Sequence, residues 1–257
     1  MCILFIAIEQ HPDFPLIICA NRDEFHQRPT QAMHVWQQPK ILAGKDMQAG
    51  GTWLGLSSDN RFAALTNFRQ LPLSEQPKKS RGDLVLKALD SSQVNFAKEL
   101  TNTANQYHGY NLIYGSLNQV NSLVCYDSIN NKLHTLTKGV HSICNGALDD
   151  IWPKMAHGEQ LLTDAVSSNR PLSIEALFEL MTNNKQALPE LLPDTGLTKE
   201  WEQMLSAIFI KSPSYGTRTT TIITKDKRNN VEIYDRSYAL SGKVTLQQKF
   251  RLSEAFS

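Results

Sequence analysis

The chain opens Met-Cys, and Cys2 heads the apolar run "CILFIAI". Initiator methionine is normally removed before a small residue, and Cys2 would then carry a thiol and a free α-amino group together. An unperturbed α-amine titrates at about 7.7–8.0 and a thiol at about 8.5. An amine that close to neutrality is a usable base, and it sits a few bonds from the sulfur. Nucleophile and base then come from one residue, without a histidine partner. The seven histidines are scattered, as this arrangement allows. The plainer reading is a cysteine that packs as a small hydrophobe at the start of a core strand. Catalysis needs a group to hold the amine, donors for a tetrahedral oxyanion, and a polar or charged group to orient substrate.

Several segments offer such groups. "ANRDEF" places Asn21, Arg22, Asp23 and Glu24 at the end of a strand that could pair with the first. If the chain stays extended there, Arg22 and Glu24 face one side and Asn21 and Asp23 the other. Either pair could point to Cys2, against the alternative of a solvated turn with a surface ion pair. "ALTNF" ends a strand with Thr66 and Asn67, and "SICNG" ends another with Asn145. An asparagine amide suits an oxyanion hole, although Asn before Gly is also ordinary turn chemistry. "SYGTRTTTI" puts Arg218 just before a strand, where it could meet a carboxylate or an oxyanion, or lie on the surface.

The elements that must position these residues read as follows. "CILFIAI" and "LIICA", separated by the breaker "HPDFP", predict a hairpin buried on both faces, the second strand stopping at the charged "NRDEF". "ILAG", "TWLGLS" and "RFAALTN" predict further strands. "SRGDLVLKALD" predicts a helix, with Ser80 and Asp83 at capping-box spacing, and a second helix covers Val94 to Leu100. "YNLIYGS", "NSLVCYD" and "KLHTLT" predict an antiparallel meander turning at "SINN". From Trp152 to about Ile210 the spacing is helical. "TTTIITK", "VEIYDRSYAL" and "VTLQQKF" return to strands. Without regular βαβ alternation, an antiparallel α+β architecture is favoured over a doubly wound parallel sheet. No repeat or linker divides the chain, so residues 1–257 are expected to form one domain.

The 257 residues are 41% hydrophobic and 20% charged, with a net charge of +1, so no charge block points to nucleic acid. No segment has the length of a transmembrane helix, and the N-terminus lacks the pattern of a signal peptide. Cys2, Cys19, Cys125 and Cys144 are widely spaced. Reduced thiols in a cytoplasm are therefore expected, with neither a metal site nor a cofactor.

"MC", "ANRDEF", "GGTWLG", "ALTNFR", "SRG", "YNL", "CNG" with "WPK", and "YGTRTTTI" occur in this order from Cys2 to about Ile223. This ordered set resembles the NRDE family, also called the transport-and-Golgi-organization-2 family. The resemblance implies a four-layer αββα sandwich of two antiparallel sheets, as in N-terminal-nucleophile hydrolases. The chain is also similar to the choloylglycine hydrolase and penicillin V acylase group. That likeness implies a cysteine amidohydrolase or acyltransferase acting on a linear C–N amide of a small molecule. Carried over by motif, Cys2 is the nucleophile, Asp23 holds the α-amine and Arg22 lies near the sulfur. Asn67 and Asn145 line the oxyanion region, and Arg218 completes the polar ring, with Asn21, Glu24 and Thr66 toward substrate. In the acylase group the Arg and Asp stand three positions apart. Here Arg22 and Asp23 are adjacent, while Asn21 and Glu24 keep that spacing, so both Asp23 and Glu24 are candidates for the amine. Eukaryotic members are associated with Golgi organisation, lipid homeostasis and haem trafficking. That association implies an alternative: a non-catalytic haem or lipid carrier, with Cys2, His26 or His141 as a haem ligand.

Overall fold

The computed structural model describes residues 2–69, 78–90, 93–148, 150–167 and 171–256. Met1, on whose removal the N-terminal reading depends, lies outside the described residues. β1 (Cys2–Ile8) and β2 (Leu16–Phe25) form an antiparallel hairpin in which Cys2 faces Arg22 and Ile8 faces Leu16. β3 (Thr30–Val35), β4 (Ile41–Asp46), β5 (Leu54–Ser57) and β6 (Arg61–Asn67) follow. Helices α1 (Gly82–Asp90) and α2 (Gln93–Thr103) lead into β7 (Tyr110–Ser116), β8 (Val124–Asp127), β9 (Lys132–Thr135) and β10 (Gly139–Ile143). Then come α3 (Pro153–Val166), α4 (Ile174–Met181) and α5 (Lys199–Leu205). β11 (Tyr215–Lys225), β12 (Val231–Tyr238), β13 (Val244–Arg251) and the short α6 (Leu252–Ala255) close the chain.

The strands form two antiparallel sheets, ordered β10-β1-β2-β11-β12-β13 and β3-β4-β5-β6-β7-β8-β9. Alternation along β1 sets the layers. Leu4, Ile6 and Ile8 point between the sheets and pack with Leu56, Phe62 and Ile113 of the second sheet. Ile3, Phe5 and Ala7 point the other way, onto Met155, Leu162 and Phe178 of the α3–α4 layer. The outer face of the second sheet buries Leu65, Leu112 and Tyr114 under Leu84, Leu89 and Phe96 of α1 and α2. The order of layers is helix, sheet, sheet, helix, which is the αββα sandwich expected. Each large apolar side chain enclosed this way contributes about 1.5–3 kcal/mol. Close approach of α3 to β1 requires Gly158, because a Cβ there would stand 2.0 Å from the Phe5 ring. Among the described residues, no helix is long and apolar enough to cross a membrane.

Two elements differ from expectation. β2 does not stop before "NRDEF" but runs through it to Phe25, with Asn21, Arg22 and Asp23 each no more than 4% exposed. The reason is β11, which pairs with β2 from Tyr215–Phe25 to Lys225–Leu16 and supplies the backbone and hydroxyl partners that buried polar residues require. β3 was not foreseen, because "TQAMHV" is half-exposed and lacks a clean apolar alternation.

Candidate active site

The N-terminal end of β1 and the C-terminal ends of β2, β4 and β6 meet at one end of the sandwich around a cavity of about 310 Å³. Cys2, Arg22, Asp23, Glu24 and Asn67 line it, together with Arg28, Asp46, Trp53, Arg81 and the backbone of the Gly51–Thr52 and Ser80–Gly82 segments. Gly51 and Gly82 pack backbone to backbone, and a Cβ on Gly51 would meet the Gly82 carbonyl carbon at 2.9 Å. The "GGTWLG" and "SRG" segments are thus brought together by two residues without side chains.

Cys2 is 8% exposed, and burial pushes its thiol up from the ordinary value. The Asp23 charge adds to this, while Arg22 and the Asp23 backbone N–H favour the thiolate. Arg22 donates from Nη1 to Thr30 Oγ1 at 2.9 Å and from Nη2 to Asp46 Oδ2 at 3.3 Å, and its guanidinium stacks 4.3 Å above the Trp53 ring. Asp46 also accepts from Arg28 Nε at 2.7 Å and from the backbone N–H groups of Gln48 and Ala49. Burial acts to raise its pKa, but the Ala49 N–H, Arg28 and Arg22 outweigh it and hold the carboxyl below its usual range.

Asp23 lies on the helix-facing side of β2, 1% exposed. Its Oδ1 accepts from Thr217 Oγ1 at 2.7 Å and its carbonyl from Tyr215 Oη at 2.9 Å. Burial pushes this carboxyl up, and the charge of Lys154, the Thr217 bond and the charge of Arg69 oppose that. Both carboxylates considered for the amine, Asp23 and Glu24, line the cavity. Glu24 accepts from the Phe25 N–H at 2.9 Å and stands 3.8 Å from Arg28 Nε.

A family model described as Transport and Golgi organisation 2 matches residues 1–239. The chain belongs to the Transport and Golgi organisation 2 family. The human Transport and Golgi organization protein 2 homolog is 34% identical over 257 residues, covering 92% of this chain and 93% of the human one. The mouse homolog is 33% identical over 259 residues, covering 92% and 93%. The Drosophila melanogaster protein is 22% identical over 260 residues, covering 92% of each chain. Among solved structures, a Caenorhabditis elegans N-acylethanolamine-hydrolyzing acid amidase ortholog superimposes with a TM-score of 0.43 at 10% identity, covering 86% of this chain and 92% of that one. A Cys2→Ala mutant of the conjugated bile acid hydrolase from Clostridium perfringens gives 0.43 at 9% identity, covering 98% and 94%. The family membership drawn from the ordered motifs is borne out.

Within this family member, the residues singled out in the sequence fall into two groups. Cys2, Arg22, Asp23, Glu24 and Asn67 share the cavity. Among the described residues, the Asn67 side-chain amide has no hydrogen-bond partner, while its carbonyl is held by Asn145. The others stand behind the walls. Asn145 is fully buried, and its Nδ2 donates to the carbonyls of Cys2 at 3.3 Å and Asn67 at 2.9 Å, so its donors face the backbone and not the cavity. Thr66 Oγ1 donates to the Cys144 carbonyl, and Asn111 Nδ2 to the Gly146 carbonyl at 2.9 Å, pinning the "CNG" loop. Asn21 Nδ2 donates to the carbonyls of Met181 and Ile208, tying β2 to the helical layer. Arg218 occupies the bulge of β11 between Thr217 and Thr219, and its Nη1 donates to the carbonyls of Phe25, His26 and Arg28. It braces the segment that carries Arg28 and lines a separate groove beside Thr30 and Thr219. His26 and His141 line neither the cavity nor that groove; their Nε2 atoms contact the carbonyls of Ser212 and Thr137.

Sequence reasoning missed the cationic wall. Lys78, Lys79 and Arg81 line the cavity and donate to the Asn105 carbonyl, Gln106 Oε1 and the Gly109 carbonyl. None of these three forms an ion pair among the described residues. With Arg22 and Arg28 they set five cations against the carboxylates of Asp23, Glu24 and Asp46. The signal was the basic run "KKSR" beside the "SRG" motif.

Proposed function

We propose that this protein is a cysteine amidohydrolase or acyltransferase, with Cys2 as an N-terminal nucleophile that acts on the linear amide of an anionic small molecule. The observation that carries the reading is the convergence of Cys2, Arg22, Asp23 and Asn67 on one cavity at the head of β1. After removal of Met1, the α-amine takes the thiol proton as Sγ bonds to the amide carbon. The Asn67 amide is the available donor for the oxyanion, since both donors of Asn145 already serve backbone carbonyls. Asp23 holds the α-ammonium, which protonates the departing nitrogen as the C–N bond breaks. Water, or an acceptor amine or hydroxyl, then attacks the thioester carbon. Its proton passes through the α-amine to the sulfur as the C–S bond breaks. The excess of cations around the cavity favours an acyl or amine portion that bears a carboxylate or phosphate.

The test pairs intact-mass spectrometry with turnover of an acyl-amide library. Met1 is expected to be absent from the native protein. Cys2→Ala is expected to lower turnover by about 10³-fold or more, while the fold is retained. Retained Met1, or turnover unchanged in the alanine variant, overturns the reading.

A further inference from the structure

A guanidinium is a planar plate, and a plate keeps one orientation only when both an edge and a face are held. Arg22 is 4% exposed and directly opposes Cys2 across the β1–β2 ladder. Residues paired in this way carry their side chains on one face of the sheet, with Cβ atoms about 4.5–5.5 Å apart. Both line the cavity. How the plate is held therefore decides what charge the Cys2 sulfur meets.

The edge bonds hold it incompletely. Arg22 Nη2 meets Asp46 Oδ2 at 3.3 Å, and that same oxygen accepts from Arg28 Nε at the shorter distance of 2.7 Å. One carboxylate shared by two guanidiniums leaves a net positive charge. The Thr30 hydroxyl is the other edge partner, at 2.9 Å. Two such bonds leave the plate free to rock about the line that joins them. Trp53 removes that freedom, because the guanidinium carbon lies 4.3 Å from the centre of its ring. An indole face is the best of the aromatic faces for a cation.

The ring is seated in turn. The Trp53 carbonyl accepts from the Leu65 N–H of β6 at 2.8 Å. The far edge of the indole lies on Gly44 of β4, where a Cβ would stand 2.4 Å from it. Gly44 is not among the residues with positive φ, so the backbone there does not call for glycine. What calls for it is the ring.

We propose that Trp53 is a positioning residue for the Cys2 site: its ring, seated on Gly44, holds the Arg22 guanidinium as a fixed cation beside the thiol. Its functional meaning rests on the proposed role of Cys2, but the arrangement itself does not. Arg28, Arg81, Lys78 and Lys79 line the same cavity, so the part played by Arg22 has to be separated from theirs.

The test compares alkylation of Cys2 in the full-length protein by iodoacetate and by iodoacetamide at one pH, with the label located by peptide mass spectrometry. The other cysteines, Cys19, Cys125 and Cys144, are at most 1% exposed. Thiolate fraction and access are common to the two reagents, so the ratio of their rates reads the charge beside the sulfur. Arg22→Gln is expected to lower the ratio about threefold or more. Trp53→Leu is expected to lower it as well, and Trp53→Phe to retain most of it. Gly44→Ala displaces the ring without removing it and is expected to follow Trp53→Leu. With Arg22→Gln already in place, Trp53→Leu is expected to change nothing further. A ratio unmoved in folded Arg22→Gln, or in both folded Trp53→Leu and folded Gly44→Ala, overturns the proposal. So does a further fall when Trp53→Leu is added to Arg22→Gln, since Trp53 would then act on the cavity directly. A protein that shows the expected pattern but turns over no amide keeps this seat for Arg22 and loses the amidohydrolase reading.

Discussion

The side-chain amide of Asn145 donates to the main-chain carbonyl of Cys2 and, with its other proton, to that of Asn67. Cys2 begins a strand of the first sheet and Asn67 ends one of the second, so a single buried amide sets the spacing between the thiol and the proposed oxyanion donor. Asn145 follows β10, which pairs with β1, and its own placement is enforced by the sheet it serves.

Asn145→Ala removes the amide that serves the buried Cys2 carbonyl and the half-buried Asn67 carbonyl. Losing a partner costs a buried carbonyl about 1–3 kcal/mol and a half-buried one less, so an unfolding free-energy loss of about 2–4 kcal/mol is expected in urea titrations. A loss under about 0.5 kcal/mol would show that water or a rearranged loop replaces the clamp.

Asp235 gives a pH signature away from the site. It is 2% exposed, its Oδ1 accepts from Thr221 Oγ1 at 2.7 Å, and burial pushes its carboxyl from 3.8 up to about 6. The folded protein then holds this proton more tightly than the unfolded chain. The stability it contributes is complete below about pH 4 and declines as pH rises toward 6, by about 3 kcal/mol in total. Asp235→Asn keeps an acceptor for Thr221 and does not ionise. It is expected to be more stable than wild type by about 1–3 kcal/mol at pH 7 and to lack that decline. Identical pH profiles for the two proteins would count against a buried, shifted Asp235.

Arg81 tests the cationic wall. Arg81→Gln should raise KM about tenfold for an acyl amide carrying a carboxylate or phosphate, equivalent to about 1.4 kcal/mol. A neutral analogue should be little affected, and added salt should narrow the gap between the two. Equal effects on both substrates would remove anion recognition from the proposed function.

The hairpin was legible as two continuous apolar runs around a proline breaker, and the meander and closing strands as runs rich in β-branched and aromatic residues between turn signals. "NRDEF" misled because four polar residues in a row read as the end of a strand. Their burial depends on β11, which lies about 190 positions away and brings Thr217, Thr220 and Tyr215 as partners. Types and spacing left either Arg22 with Glu24 or Asn21 with Asp23 as partners for Cys2; the pairing with Arg22 and Asp23 is what the family resemblance implies. The duties of Asn145 and Arg218 could not be read, because an amide or guanidinium that braces a backbone looks the same in sequence as one that faces a substrate. The cationic wall escaped for a related reason: a short basic run is usually a solvated face, and the Gly51–Gly82 contact together with the bonds to Asn105, Gln106 and Gly109 sets this one at the rim of the cavity.

β1 lies between β10 and β2 in the interior of its sheet, while the opposite side of the cavity is built from connecting segments around Arg28, Gly51 and Arg81. The Cys2 sulfur, the proposed nucleophile, cannot shift without disturbing three strands, whereas the segments facing it can vary in length and charge at little cost to the scaffold. Divergence among relatives should therefore alter which molecule is admitted far sooner than it alters what is done to it. Exchanging residues 78–82 between relatives would transfer preference while leaving the sandwich intact.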